Sequence, residues 1–216
     1  MQKNNIQKCL TLDSDVLLYE DASKGIKKFA WSDFTLAGKS SGGFVYVNNS
    51  NSTSLLCNFI KQSYSNKRLF SKLVAFWEHL QKINGGGIND VKLLGDYYKL
   101  KKSKIGEITD IINSETYDEG ILSAQGCKME GGIKKIRFES QLPFVFLKDS
   151  GKKIRLCCIH CQGPTKFYMK YFAQGKLGLI EKKKVGLMMW FRDNIGARLP
   201  RGLIVTIKNN LSKMGF

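Results

Sequence analysis

The sequence predicts an α+β fold, and three observations carry that expectation. Apolar residues recur at three- and four-residue spacing between Leu69 and Ile83, the signature of an amphipathic helix. From Ile133 onward the pattern shifts to short alternating runs of β-branched and aromatic residues, the signature of strands. The strands are consecutive and follow the helices, which separates this order from an alternating βαβ chain. The expected architecture is an antiparallel sheet of about five strands packed against one long helix and one or two shorter ones. The chain has 216 residues, 43% of them hydrophobic and 25% charged, enough to bury a core.

The elements follow in order. Residues 1–43 form a mixed N-terminal segment, with Val16–Tyr19 as a short strand or helical turn and Lys39–Gly43 as a loop. Phe44–Val47 (FVYV) is a strand. Asn48–Ser54 is polar throughout and is expected as an exposed loop. The long helix is capped by Asn66 or Ser65 and stopped by Gly85-Gly86-Gly87, with its wide apolar stripe buried along one side. Ile105, Ile108, Ile111 and Ile112 suggest a shorter helix. Ile133–Glu139, Leu142–Lys148 and Lys152–Cys161 read as strands, with Asp149-Ser150-Gly151 as a hairpin turn. Lys166–Phe172, Lys176–Glu181 and Val185–Phe191 continue the meander. Residues 44–191 are expected as the core domain and 192–216 as a basic C-terminal segment docked on it.

Charge points to a partner class. The 35 Lys and Arg outweigh 18 Asp and Glu, for a formal charge of +17. Residues 1–60 carry six basic and five acidic side chains, 61–149 carry fifteen and eleven, and 150–216 carry fourteen and two. A field that uneven attracts polyanions: nucleic acid, an anionic membrane leaflet or an acidic protein. The residues expected to meet phosphate are Lys99, Lys101, Lys102 and Lys104, then Lys152, Lys153 and Arg155. Lys182, Lys183, Lys184, Arg192, Arg198 and Arg201 complete the set. Arginine offers a bidentate fork and lysine a point charge. Tyr168 and Tyr171 either stack on bases or fill the core, and Phe172 is assigned to the core. Leu187–Phe191 (LMMWF) is a buried strand or an interfacial contact.

Catalytic chemistry finds little purchase. No P-loop, G-x-G-x-x-G or G-x-S-x-G occurs, and only two histidines are present. Cys157-Cys158-Ile159-His160-Cys161 offers one C-x-x-C, whereas zinc ordinarily takes two spaced pairs. In a strand, Cys158 and His160 face one way and Cys161 the other, so small core residues are the favoured reading and zinc at Cys158, His160 and Cys161 the alternative. Glu139, Asp149 and Lys152, with Glu119 upstream, are the residues a metal-dependent nuclease would use. No catalytic residue and no cofactor are assigned. No secretory signal and no membrane-crossing run are visible, which suggests an intracellular protein with thiols in place of disulfides.

Two stretches resemble viral proteins. Ser65–His79 (SNKRLFSKLVAFWEH), with Trp77-Glu78 as an aromatic–acid pair and Gly85–Gly87 following, resembles the first core helix of rhabdovirus matrix proteins. Leu142–Leu147 and Lys153–Cys161 resemble later core strands of that family, so the likeness spans about residues 44–191. The N-terminus departs from the family: it is nearly neutral and has no P-P-x-Y motif. The resemblance implies a non-enzymatic, self-associating structural protein of the virion that binds ribonucleoprotein and anionic membrane. Gly175–Lys182 (GKLGLIEK) resembles plant-virus movement proteins, which bind single-stranded nucleic acid without sequence preference.

Overall fold

The structure is a computed structural model that describes residues 8–82 and 88–175. Among the described residues it is α+β, with helices and several small antiparallel and mixed sheets. The chain divides into two compact units: residues up to Glu119 together with Cys157–Ile159, and Gly120–Leu156 together with the chain from His160. The boundary expected at residue 43 falls inside the first unit. The boundary expected at 191, and the strands expected at 176–181 and 185–191, lie outside the described residues.

In the first unit, β1 (Cys9–Leu12) pairs antiparallel with β4 (Phe44–Val47), Cys9 opposite Val47 and Leu12 opposite Phe44. β4 also pairs with β3 (Phe34–Leu36), and β3 runs parallel to β5 (Ile105–Glu107). β2 (Val16–Leu18) pairs with β12 (Cys158–His160), whose Cys158 and Ile159 belong to this unit. Parallel neighbours need a long crossover. The chain between β3 and β5 contains β4 and three helices, α2 (Ser50–Ser65), α3 (Lys67–Lys82) and α4 (Asp90–Leu100).

The loop expected over Asn48–Ser54 is the start of α2. Asn49 accepts the Asn51 N–H at 3.0 Å, and the Ser/Asn run supplies the caps and first-turn residues that a helix start favours. Leu56 and Phe59 of α2 pack on Phe34, Leu36 and Tyr97. Tyr97 of α4 is fully buried, its ring 6.1 Å from that of Phe34 and 5.4 Å from that of Phe59. Asn66 caps α3 by accepting the Leu69 N–H at 3.1 Å, as its position suggested.

The α3 stripe is less buried than its periodicity implies. Leu73 is buried, while Phe70 and Trp77 stand 45% and 46% exposed. The cause is layering: α3 packs on α2, and α2 itself covers the sheet. The helix expected around Ile105–Ile112 is instead β5 and a turn. Ile105 pairs with Phe34, and of the four isoleucines Ile108 alone is fully buried.

In the second unit, β9 (Arg137–Glu139), β10 (Leu142–Phe146) and β11 (Lys153–Leu156) form an antiparallel meander. The strand expected over Ile133–Glu139 is broken. β7 (Met129–Glu130) and β8 (Ile133–Lys134) make a small hairpin across Gly131 and Gly132, both at positive φ. The Ile136 N–H then turns back onto the Lys134 carbonyl at 2.8 Å. Lys134 is buried, its ammonium bonded to the Gly120 carbonyl and the Gln125 side chain. The Asp149–Gly151 turn forms as expected, with Gly151 at φ +65 and its N–H on the Leu147 carbonyl.

Lys166–Phe172 is helical, not a strand. A 3-10 turn over Gly163–Tyr168 starts at Gly163-Pro164 and runs into α5 (Met169–Ala173). Proline at the first turn suits a helix start. The aromatics are spaced by four, so Tyr168 and Phe172 share the buried side. Both therefore belong to the core, as assigned for Phe172.

Candidate nucleic-acid interface

The β9–β11 meander separates two sets of residues by alternation alone. Pro143 and Val145 of β10 are buried, as are Ile154 and Leu156 of β11. Phe138 of β9 lies on that side too, its ring 6.1 Å from Phe172. The other face carries the remainder. Phe144 stands opposite Arg137 on one neighbour and Arg155 on the other. Phe146 stands opposite Lys153. The Lys128 N–H reaches the Phe146 carbonyl at 2.8 Å beside the Cys127–Leu147 bridge, which sets Lys128 opposite Phe146 on its second side. The outer face thus carries two phenylalanines, each with a basic residue opposite it in register on both sides.

The two rings meet edge to face, centroids 5.6 Å apart, and both are half-buried. Lys128, Arg137 and Lys153 are exposed and Arg155 is half-buried. The Lys153 ammonium lies over the Phe144 ring, 4.2 Å from its centroid, and bonds the Glu139 carboxylate. Aromatic faces beside cations are the elements that hold unpaired bases and backbone phosphates.

The other expected basic residues fall elsewhere or outside view. Lys152 is exposed in the turn before β11. Lys99, Lys101, Lys102 and Lys104 are all exposed in the first unit, at and just beyond the C-terminus of α4. There they complement the negative end of the helix dipole. Lys101 is the left-handed cap, Lys99 lies 3.9 Å from Asp96, and the Lys104 backbone N–H bonds Asp33. Lys182, Lys183, Lys184, Arg192, Arg198 and Arg201 lie outside the described residues.

No family model, curated protein or solved structure matches the chain.

The metal alternatives gain no geometry from the described residues. Among them, no cluster of three His, Cys, Asp or Glu ligand atoms contains Cys158, His160 and Cys161 together, and none includes Glu139 or Asp149. Cys158 belongs to the first unit and donates to the Asp118 carbonyl, whereas His160 and Cys161 belong to the second. Glu139 holds Lys153.

A buried polar network sits in the first unit. Tyr117 donates to Glu20, and Tyr46 donates to the Ala22 carbonyl. Lys28 bonds Glu115 at 2.7 Å, with Glu20 at 3.5 Å and the Cys157 sulfur at 3.8 Å. Glu20, Glu115 and Cys157 bring their ligand atoms within 4.8 Å of one another, and the Lys28 ammonium is the cation among them. Burial works to lower the Lys28 pKa. The Glu115 hydrogen bond and the negative groups around it outweigh burial and hold the ammonium above the usual lysine range. Burial pushes Tyr46 up to about 12, and burial with the Glu20 hydrogen bond pushes Tyr117 higher still.

The sign of the resulting pH dependence is fixed. Unfolded tyrosines ionise near pH 10, while the folded ones keep their protons, so stability is present below that pH and falls above it. Lys28, raised as well, acts in the same direction. Each group adds a slope of up to about 1.4 kcal/mol per pH unit. Urea midpoints measured at pH 9, 10.5 and 11.5 should fall steeply, and Tyr46→Phe should flatten the decline. An equally steep decline in Tyr46→Phe would show that Tyr46 does not contribute to it.

Proposed function

We propose that this chain is a non-enzymatic binding protein that holds single-stranded RNA, without sequence preference, on the outer face of β9–β11, as a matrix-like component of a viral ribonucleoprotein. The observation that carries the reading is the row Arg137–Phe144–Arg155 with Phe146 between Lys128 and Lys153. Stacking on rings tolerates any base, and four cations meet the backbone. The net charge of +17 draws the same ligand from a distance. A lipid contact is the second arm of the matrix-like reading. It is favoured by the exposed Phe70 and Trp77 of α3, a helix that also carries Lys67, Arg68, Lys72 and Lys82. Self-association during assembly belongs to the same reading.

The test is a titration with a uridine 20-mer, the matching duplex and anionic vesicles at about 50 and about 200 mM salt. Four phosphate contacts on a single strand give a log–log slope of roughly −3, so the single strand should bind about fifty-fold more weakly at the higher salt. The duplex, with its bases stacked inside, should bind through charge alone. Equal affinity for both RNAs would remove the rings from the account. Vesicle binding without RNA binding would move the function to the lipid arm.

A further inference from the structure

The ring at the centre of the proposed interface is already covered. Lys153 stands in the Phe146 row of the meander and Glu139 in the Leu142 row, four residues apart along β10, with Phe144 between. Their side chains can meet only by lying along the strand, across Phe144. The ammonium does so, 4.2 Å from the ring centroid, with the Glu139 carboxylate bonded to it. An ammonium over a ring occupies the surface on which a base would stack. The Lys153 side chain is 46% exposed and that of Glu139 70% exposed, so the ion pair is in water and weak.

We propose that Glu139 and Lys153 form a latch across Phe144, which a single RNA strand opens by giving Lys153 a phosphate in place of the carboxylate and giving the ring a base in place of the ammonium. The inference rests on the binding reading above and adds to it a closed and an open state of the site. Glu139 acts as an internal competitor for one of the cations the phosphates need. It thereby sets a threshold: weak anions leave the ring covered, and a ligand that brings a phosphate and a base together uncovers it.

The test is a double-mutant cycle read with the uridine 20-mer on the full chain. Glu139→Gln should tighten binding by about two- to fivefold, the ratio that corresponds to an exposed ion pair. It should leave the salt slope near its wild-type value, because Lys153 meets a phosphate in the bound state of both forms. Lys153→Gln should weaken binding. In that background Glu139→Gln should add no more than Asp149→Asn, which removes the same charge from the nearby turn without touching the ring. Without RNA, Glu139→Gln should shift the aromatic NMR signals of Phe144 as the ammonium leaves. Equal tightening by Glu139→Gln and Asp149→Asn, or an unchanged Glu139→Gln effect in the Lys153→Gln background, would overturn the latch and leave the binding face standing. Failure of every form, wild type included, to bind the strand would overturn both.

Discussion

Replacing Phe144 with alanine is expected to weaken single-strand binding by about one to two orders of magnitude, and to change duplex binding little. A base stacked on an aromatic side chain contributes about 1–3 kcal/mol by alanine substitution. A duplex keeps its bases stacked inside and cannot use the ring. Phe144 lies on the outer side of β10, away from Val145 and Ile154, so its removal leaves the buried face intact. Leu142→Ala removes a comparable apolar group from the same face and should leave binding nearly unchanged. Arg137→Lys and Arg155→Lys make the complementary probe. They keep the charge and so the salt slope, but lose the planar fork that packs on bases and grips phosphate twice. If Phe144→Ala and Leu142→Ala weaken the strand equally, the ring has no special role.

The second large effect is on folding. Gly25→Ala is expected to destabilise the first unit, although glycine to alanine within a helix ordinarily stabilises it by about 1 kcal/mol. Gly25 lies in α1 (Ala22–Lys28), and a Cβ there would strike the hydroxyls of both Tyr117 and Tyr46. Those hydroxyls are held by Glu20 and the Ala22 carbonyl, so neither can yield without breaking a buried hydrogen bond. Overpacking of that kind costs about 1–3 kcal/mol, and loss of the Tyr117–Glu20 hydrogen bond adds to it. The change should lower the urea midpoint with the slope m unaltered. Tyr117→Phe combined with Gly25→Ala should cost less than the two changes summed, because the deleted oxygen is the nearer of the two in the way. Additive losses would mean that the crowding lies elsewhere.

The α+β class and the β10–β11 hairpin were legible in the sequence because they rest on local signals. Asp149-Ser150-Gly151 is turn chemistry, and Leu142–Phe146 and Lys153–Leu156 alternate cleanly. Three elements misled for identifiable reasons. Asn48–Ser54 is polar because it caps and opens α2, and polarity alone does not separate a cap from a loop. Lys166–Phe172 is rich in strand-favouring aromatics, but their spacing of four is helical. The isoleucines at 105–112 have helical spacing, but the parallel pairing of Ile105 with Phe34 overrides it, and that partner lies 71 positions away.

The interface was half visible. Lys153 and Arg155 were legible as charge. Arg137, Lys128, Phe144 and Phe146 were missed because charge was counted along the chain, not across it. Folding the 142–155 segment about its own turn would have set Phe144 beside Arg155. Finding Arg137 needed the second hairpin, whose turn uses Ser140 and Gln141 at positive φ, residues that do not advertise such a turn.

The alternation in β10 also governs how this gene can change. Core residues and those of the proposed binding face occupy opposite parities of one five-residue strand, so substitutions on the outer side can accumulate without touching the fold. A single-residue insertion or deletion inside Leu142–Phe146 would exchange the parities. It would turn Val145 outward and Phe144 inward, away from the cations of the neighbouring strands, disrupting the fold and the proposed binding face in one step. The tip at Asp149–Gly151 carries no parity. Length variation among descendants of this sequence should therefore collect there and leave the strand itself at constant length.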